Sequence, residues 1–174
     1  MLFVVVAVDL FMSNESEQRS SKEISRESGQ IGVREISVAS LSGLAGMIAM
    51  QPIFGVATVI GVLDPVAFSG FANIVGYGLD FWGGVAIFVA GGMTVLPLLF
   101  ITLGNYLPPA SNIALRGVTY GTIVWTGFVL AFYTGQSGAA LAIYLVMTLV
   151  NHWVYGAVLG TVYTRYASIA AYEV

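Results

Sequence analysis

Long apolar stretches without charged residues alternate along this chain with short polar or turn-rich segments. Four of these stretches are predicted to be membrane spans, at about residues 36–62, 81–103, 113–133 and 139–163. Each is long enough for an α-helix to cross the hydrocarbon core of a bilayer, which takes about 20 apolar residues. The pattern therefore predicts an all-α integral membrane protein, with a four-helix transmembrane bundle over residues 36–166.

The segment between the first two predicted spans, residues 63–80, is amphipathic rather than uniformly apolar. It is bounded by Asp64 and Asp80, which fits a loop outside the membrane that contains a short interfacial helix. We expect both acids to cap helix starts; the alternative is that they bind a cation at the outer surface. The second span ends in a turn-rich segment, 105–109. The turn 135–138 between the third and fourth spans is short enough to make those two helices antiparallel.

Both ends of the chain are predicted to lie outside the bundle. Residues 1–35 form a polar tail rich in Ser, Glu and Arg, and residues 167–174 form a short C-terminal tail. The apolar run 1–11 is too short to span a bilayer. We interpret it either as untranslated, with Met12 as the true start, or as a short interfacial anchor.

Composition strengthens the membrane prediction and adds an orientation. The chain has 57% hydrophobic and 9% charged side chains and a mean hydropathy of +0.88, whereas a soluble domain carries about 25% charged residues. All basic residues fall on one side of a four-span arrangement: Arg19, Lys22, Arg26, Arg34, Arg116 and Arg165. Because Lys and Arg concentrate on the cytoplasmic side, we predict a multi-pass plasma-membrane protein with both termini cytoplasmic.

The chemistry open to the chain is limited by what it lacks. It has no cysteine and a single histidine, which excludes disulfides, thiolate-held iron–sulfur clusters and a haem held by two histidines of one chain. Paired carboxylates, a serine–histidine set and a metal-ligand cluster are also missing from the sequence, so we predict neither an enzyme nor a metal site, and no cofactor of its own. No basic patch suggests binding to nucleic acid.

The single histidine, His152, falls near the middle of the fourth predicted span, beside Asn151. An ionisable group at this depth is by default a candidate functional residue. It could contact a haem or a quinone, or relay a proton. The alternative, which we favour, is that a neutral His152 fixes helix packing by a hydrogen bond across helices to a polar neighbour: Asn151, Thr148 or Gln51.

Two prolines interrupt the predicted spans. Pro52 follows Gln51 near the centre of the first span, and Pro97 lies in the second. Proline removes a helix hydrogen bond and kinks the helix, and transporters build binding sites from such half-helix ends. The alternative, which we favour, is that neighbouring helices or water satisfy the freed carbonyl groups.

Glycines at helical spacing are predicted to form faces that permit close helix approach through van der Waals contact. They are Gly84 and Gly91 in the second span, Gly117 and Gly121 in the third, and Gly156 and Gly160 in the fourth. Such faces serve either packing inside the bundle or docking onto a partner subunit. Both interpretations stay open at the level of sequence.

The later half of the chain resembles a known family. The residues that carry the resemblance are the LPLLF…YLP…RG…W run within 91–132 and a pattern in the fourth span made of His152, Tyr155, Gly156, Leu159, Gly160 and Tyr163. Through them, most of residues 40–165 resembles a family of small four-span membrane proteins of haloarchaea, often labelled as associated with ba3-type cytochrome c oxidases. The resemblance implies an association with a respiratory terminal oxidase and brings no established catalytic residues.

The catalytic subunit of a haem–copper oxidase needs about six histidines for its haems and copper, so this chain, with one, is not that subunit. We therefore predict a non-catalytic accessory or assembly subunit. Its expected partners are the lipid bilayer and either larger membrane subunits or further copies of itself. The alternative is a small transporter or channel-like protein that uses the Pro52 and Pro97 kinks and the intramembrane His152.

Overall fold

A computed structural model of the protein describes residues 31–109 and 111–167, and the regular structure in these residues is helical. Four helices are long and apolar enough to cross a membrane. We call them spans 1 to 4: Val33–Val59, Phe81–Tyr106, Ile113–Ala131 and Gly138–Tyr166. The predicted all-α, four-span fold is thereby confirmed. The tail before residue 31 and the C-terminal residues after 167, for which we predicted polar tails, lie outside the described residues.

Span 1 lies about three residues earlier in the chain than its hydropathy predicts. It begins at Val33, so that Arg34, assigned to the tail from sequence, belongs to its first turn. It ends at Val59 because Gly61 adopts a positive φ of 74°, which glycine accepts without steric cost. The Val62 N–H then bonds back to the Ala57 carbonyl at 3.0 Å. This is the Schellman arrangement that closes helices.

Span 2 is a broken helix. Two α-helical segments, Phe81–Ala90 and Leu96–Leu103, flank a π-helical turn over Gly91–Val95, and a 3-10 turn, Gly104–Tyr106, completes the span. In the π turn the Leu96 N–H bonds to the Gly91 carbonyl, five residues back. One extra residue per turn shifts every later side chain around the helix axis.

The segment between spans 1 and 2 folds as a 3-10 turn, Pro65–Ala67, and a short helix, Phe68–Ile74. The carboxylates on either side cap helix starts, as expected: Asp64 accepts from the Val66 N–H at 2.9 Å and Asp80 from the Trp82 N–H at 3.1 Å. The short helix rests against the bundle, since a side chain on Gly84 would overlap the Phe68 carbonyl oxygen.

The Phe68 ring is buried in a cluster of phenylalanines from three spans. Its centroid lies 5.6 Å from that of Phe54 in span 1, 5.2 Å from Phe88 in span 2 and 5.0 Å from Phe132 at the end of span 3. Aromatic pairs favour such tilted and edge-on contacts. The segment between spans 1 and 2 therefore closes this end of the bundle.

Hydrogen bonds at the two ends of the bundle show how the spans alternate. At one end the Arg34 guanidinium donates to the Tyr166 carbonyl at 2.8 Å, joining the start of span 1 to the end of span 4. At the other end Gln136, in the turn before span 4, donates to the Val62 carbonyl at 3.0 Å. Span 3 begins at the first end, because a side chain on Gly160 would meet the Ile113 carbonyl oxygen at 2.8 Å.

Candidate functional site

The buried face of span 4 carries most of the polar groups inside the bundle. We call this face the polar seam; its members are Tyr144, Thr148, Asn151, His152, Tyr155 and Tyr163. Apart from the neighbours Asn151 and His152, successive members are three, four or eight residues apart, which places them on one side of an α-helix. The seam faces spans 1, 2 and 3, and its hydrogen bonds decide how much of its polarity remains available to a ligand.

Tyrosine hydroxyls bridge the helices around the seam. Tyr144 donates to the Val129 carbonyl of span 3 at 2.6 Å, and Tyr155 donates to the Gly92 carbonyl of span 2 at 2.7 Å. From span 3, Tyr120 donates to the Leu96 carbonyl of span 2 at 2.6 Å. Buried hydroxyls need such partners because leaving a buried donor unpaired costs about 1–3 kcal/mol. These three groups therefore hold the bundle together.

The bond to Gly92 follows from the break in span 2. In a regular α-helix the Gly92 carbonyl would accept from the Leu96 N–H, but that N–H bonds to Gly91 instead. The next candidate donor would be residue 97, which is proline and has no N–H. The Tyr155 hydroxyl supplies the missing donor. A neighbouring helix thus satisfies a carbonyl near Pro97, as the favoured alternative for the prolines requires.

His152 is buried, with 8% of its surface exposed, and its ring lies 5.7 Å from that of Phe128. Its Nδ1 lies 2.8 Å from the carbonyl oxygen of Thr148 in the same helix. A carbonyl can only accept, so Nδ1 carries a proton; in the neutral form of the ring Nε2 is then unprotonated. The bond thus goes to Thr148, one of the three partners that we predicted. The prediction that it crosses between helices is wrong, because the ring bonds to the backbone one turn back in span 4.

The predicted pairing of His152 with Gln51 is also wrong. Gln51 lies on the outer surface of span 1, and its amide donates to the Met47 carbonyl of its own helix at 3.0 Å. Pro52 beside it is exposed as well, and span 1 continues through it as one helix. Hydropathy cannot reveal this rotation, because in a bilayer the inner and outer faces of a helix are both apolar.

Asn151 is the unusual member of the polar seam. Only 4% of its surface is exposed, and its Oδ1 has no hydrogen-bond partner among the described residues. A buried acceptor without a donor is rare in proteins. Unlike the hydroxyls of the tyrosines, the Asn151 oxygen therefore does not help to hold the described helices together.

Two small cavities border His152, with volumes of about 20 Å³ and about 10 Å³. The wall of the larger one is mainly apolar and includes Met50, Phe88, Phe128, Asn151 and His152. Pockets for small molecules measure about 300–1,000 Å³, so neither cavity fits a haem or the ring of a quinone. The described residues also contain no group of three or more His, Asp or Glu side chains that could hold a metal ion.

The predicted glycine faces of spans 3 and 4 meet each other. A side chain on Gly117 would overlap the Gly156 carbonyl oxygen, and one on Gly156 would overlap that of Gly117. Gly121 lies equally close to the backbone of His152, and Gly160 abuts Ile113 at the start of span 3. These contacts correspond to packing inside the bundle, the first of the two interpretations left open by the sequence.

Span 2 uses different glycines from those expected. Gly84 packs against the Phe68 backbone, but a side chain on Gly91 would meet no atom within 4 Å. Gly92 instead faces span 1, where Met47 lies against it. Sequence reasoning also missed Gly43, which abuts Pro97, although it stands three residues before Gly46 as a recognisable small-residue pair.

Residues 33–174 match a family model, and the chain belongs to that family, DUF6789, which is described as a family of unknown function. No curated protein and no solved structure matches the chain. The comparisons therefore assign a family without an activity.

Proposed function

We propose that this member of the family is a non-catalytic accessory or assembly subunit of a larger membrane complex, and that a respiratory terminal oxidase is the complex to test first. The observation that carries the proposal is the closed interior of the bundle. Tyr120, Tyr144 and Tyr155 bind carbonyls of neighbouring spans, and the two cavities beside His152 have volumes of only about 20 Å³ and about 10 Å³. An interior used for packing leaves the outer surface for function.

The outer surface is large in proportion to the interior. In the most apolar stretch of each span, between 17% and 33% of the residues are buried within the chain, with the lowest share in span 3. Leu115, Ile123 and Leu130 of span 3 are among the exposed residues. Lipid can cover such a surface, and so can the helices of another subunit, which in membranes associate by close packing and hydrogen bonds.

The charged residues at the two ends support the orientation within this proposal. Arg34, Arg116 and Arg165 lie at the end where spans 1 and 3 begin and span 4 ends. Asp64 and Asp80 lie at the opposite end. By the positive-inside rule the arginine end faces the cytoplasm. A single cysteine at Ser137 should then react with an impermeant reagent in intact cells, whereas one in the tail should be protected; the reverse labelling would contradict the orientation.

The link to respiration comes from the resemblance of residues 91–132 and of the fourth-span pattern to the haloarchaeal family. Because the chain has one histidine, it would pack beside the haem-binding subunit and would not itself be that subunit. Arg116 has a structural role at the arginine end of the bundle. It donates to the Gly104 and Pro109 carbonyls and so fixes the loop between spans 2 and 3.

Purification of the tagged chain from its native membranes in mild detergent tests the proposal. We expect larger membrane subunits to co-purify in a fixed ratio, and the sample to show a haem difference spectrum if the partner is an oxidase. Deletion of the gene should then lower the amount of assembled complex. Recovery of the chain without any other subunit would contradict the accessory role, and a partner without haem would contradict the oxidase.

A small transporter is the second candidate, and the broken span 2 favours it. The π turn over Gly91–Val95 and Pro97 lie beside the polar seam, where Tyr155 bonds to Gly92. Transporters often place irregular helices next to buried polar groups. Proteoliposomes that contain a pH-sensitive dye test for proton movement. A proton flux that His152→Leu abolishes would support transport, whereas vesicles that stay impermeable to protons would exclude this pathway.

A further inference from the structure

Gln51 exposes a polar amide on the outer face of span 1 at the depth of the membrane core. It stands eight residues before the end of the helix at Val59, which corresponds to about 12 Å along the axis. The hydrocarbon core is about 30 Å thick, so Gln51 lies well inside it. The exposed residue Ile48, three residues before Gln51, lies on the same face and is apolar.

The amide of Gln51 is only partly used by its own helix. A glutamine side chain has two N–H donors and an oxygen that can accept two hydrogen bonds. One N–H donates to the Met47 carbonyl at 3.0 Å, and within the described chain the oxygen accepts no hydrogen bond. Lipid offers neither donor nor acceptor, so an unused amide at this depth is costly.

Hydroxyl groups on the outer faces of the other spans do not share this property. Thr94 of span 2 donates to the Ala90 carbonyl at 2.6 Å, and Thr161 of span 4 donates to the Ala157 carbonyl at 2.7 Å. A threonine hydroxyl has one proton, and its own helix takes it. Gln51 retains both a donor and an acceptor after its helix is satisfied, so it can bind another helix.

Backbone geometry next to Gln51 allows that helix to come close. Gly55 stands one turn further along span 1, and a side chain placed there would meet no atom within 4 Å. Glycine one turn from a polar residue lets two helix backbones approach until side-chain hydrogen bonds form between them. The outer face of span 1 around Gln51 and Gly55 therefore has the shape and chemistry of a helix contact.

We propose that this face binds the same face of a second copy of the chain. Copies inserted with one orientation are related by a two-fold axis along the membrane normal, so Gln51 of each copy lies at the same depth. The amide is self-complementary: each Gln51 N–H donates to the Gln51 oxygen of the partner, forming an isologous contact. The inference goes beyond the proposed function and does not depend on which larger complex the chain joins.

Disulfide cross-linking in native membranes tests the contact. The chain has no cysteine of its own, so only the introduced thiols can link two copies. Ile48→Cys places a thiol on the proposed face, and Val146→Cys places one on the exposed surface of span 4. Oxidation should link copies of Ile48→Cys and leave Val146→Cys monomeric. Absence of linked dimers at position 48, or equal linking at both positions, would overturn the inference.

Gln51→Leu then separates the dimer contact from a role inside one chain. In the Ile48→Cys background we expect dimerisation to weaken about threefold to twentyfold for each hydrogen bond lost. Thr161→Leu, which also replaces an outward polar side chain by leucine, should leave dimerisation unchanged. Both variants should keep the melting temperature of the parent. A lower melting temperature with unchanged linking would mean that Gln51 only caps Met47, and would overturn the inference.

Cross-linking and co-purification together distinguish a failure of the dimer inference from a failure of the proposed accessory role. A linked dimer that purifies without any other subunit supports the inference and contradicts the accessory role. A larger complex containing one copy of the chain contradicts the inference and leaves the accessory role supported.

Discussion

The inner face of span 4 and the outer face of span 1 both carry polar side chains at membrane depth, but the two faces use them differently. Tyr144 and Tyr155 donate to carbonyls of other spans in the same chain. Gln51 donates only to its own helix and has an oxygen that no described residue uses. Polar groups in a membrane protein therefore have to be sorted by what they bind before a function is assigned to them.

The contrast extends to the glycines. Gly117 and Gly156 touch each other's backbones between spans 3 and 4, whereas a side chain on Gly55 or Gly127 would meet no atom within 4 Å. The same residue type thus serves packing within the chain in one place and leaves an open surface in another. Substitutions at matched positions test this difference between inner and outer faces, and the expected effects on the free energy of unfolding fall from several kcal/mol to about one.

The largest effect is expected from Gly156→Leu. A leucine side chain would overlap the Gly117 carbonyl group. Because this group belongs to the backbone of span 3, it cannot move aside as the end of a flexible side chain could. We expect the free energy of unfolding to fall by about 3 kcal/mol or more, seen as loss of folded protein in a detergent melting experiment. Gly127→Leu on the open face of span 3 is the control and should fold normally. Normal folding of Gly156→Leu would mean that spans 3 and 4 do not touch there.

Hydropathy and length were enough to predict the four spans, because a bilayer core of fixed thickness demands about 20 apolar residues in each crossing helix. The same signal could not predict where span 1 ends, since Val62 is as apolar as Val59. A positive φ at Gly61 ends the helix there. Capping by Asp64 and Asp80 was predictable because an acid next to a helix start has a local role that needs no tertiary contact.

The rotation of each helix could not be predicted from the sequence. In water a polar stripe marks the exposed face of a helix, but in lipid the exposed face is apolar as well. We therefore expected Gln51 and His152 to form a pair, whereas Gln51 lies on the outer surface of the bundle and His152 is buried inside it. The π turn added a second difficulty, because no periodicity marks one inserted residue. In span 2 the close contact is made by Gly92 and not by the expected Gly91. The glycine pairs of spans 3 and 4, in unbroken helices, kept their expected register.

Tyr155→Phe should have an intermediate effect. The ring is retained and the hydroxyl is lost, so the Gly92 carbonyl, which lacks a backbone donor, becomes a buried acceptor without a partner. We expect the free energy of unfolding to fall by about 1–3 kcal/mol, measured as a lower melting temperature in detergent. Tyr77→Phe, on an exposed ring outside the spans, is the matched control and should melt like the parent. An unchanged melting temperature for Tyr155→Phe would show that another donor reaches Gly92.

The smallest effect, and one of opposite sign, is expected from Asn151→Leu. Leucine branches at Cγ as asparagine does, and it removes an amide oxygen that is buried without a donor. Because an unsatisfied buried acceptor destabilises the folded state, its removal should leave the stability unchanged or raise it by about 1 kcal/mol. The measurement is again the melting temperature of the purified chain, with Thr148→Val as the contrasting variant. Thr148 accepts from the Trp125 indole at 3.0 Å, so its replacement should destabilise the bundle. A clear loss of stability in Asn151→Leu would show that Asn151 has a donor in the folded protein, and the polar seam would then be bonded along its whole length.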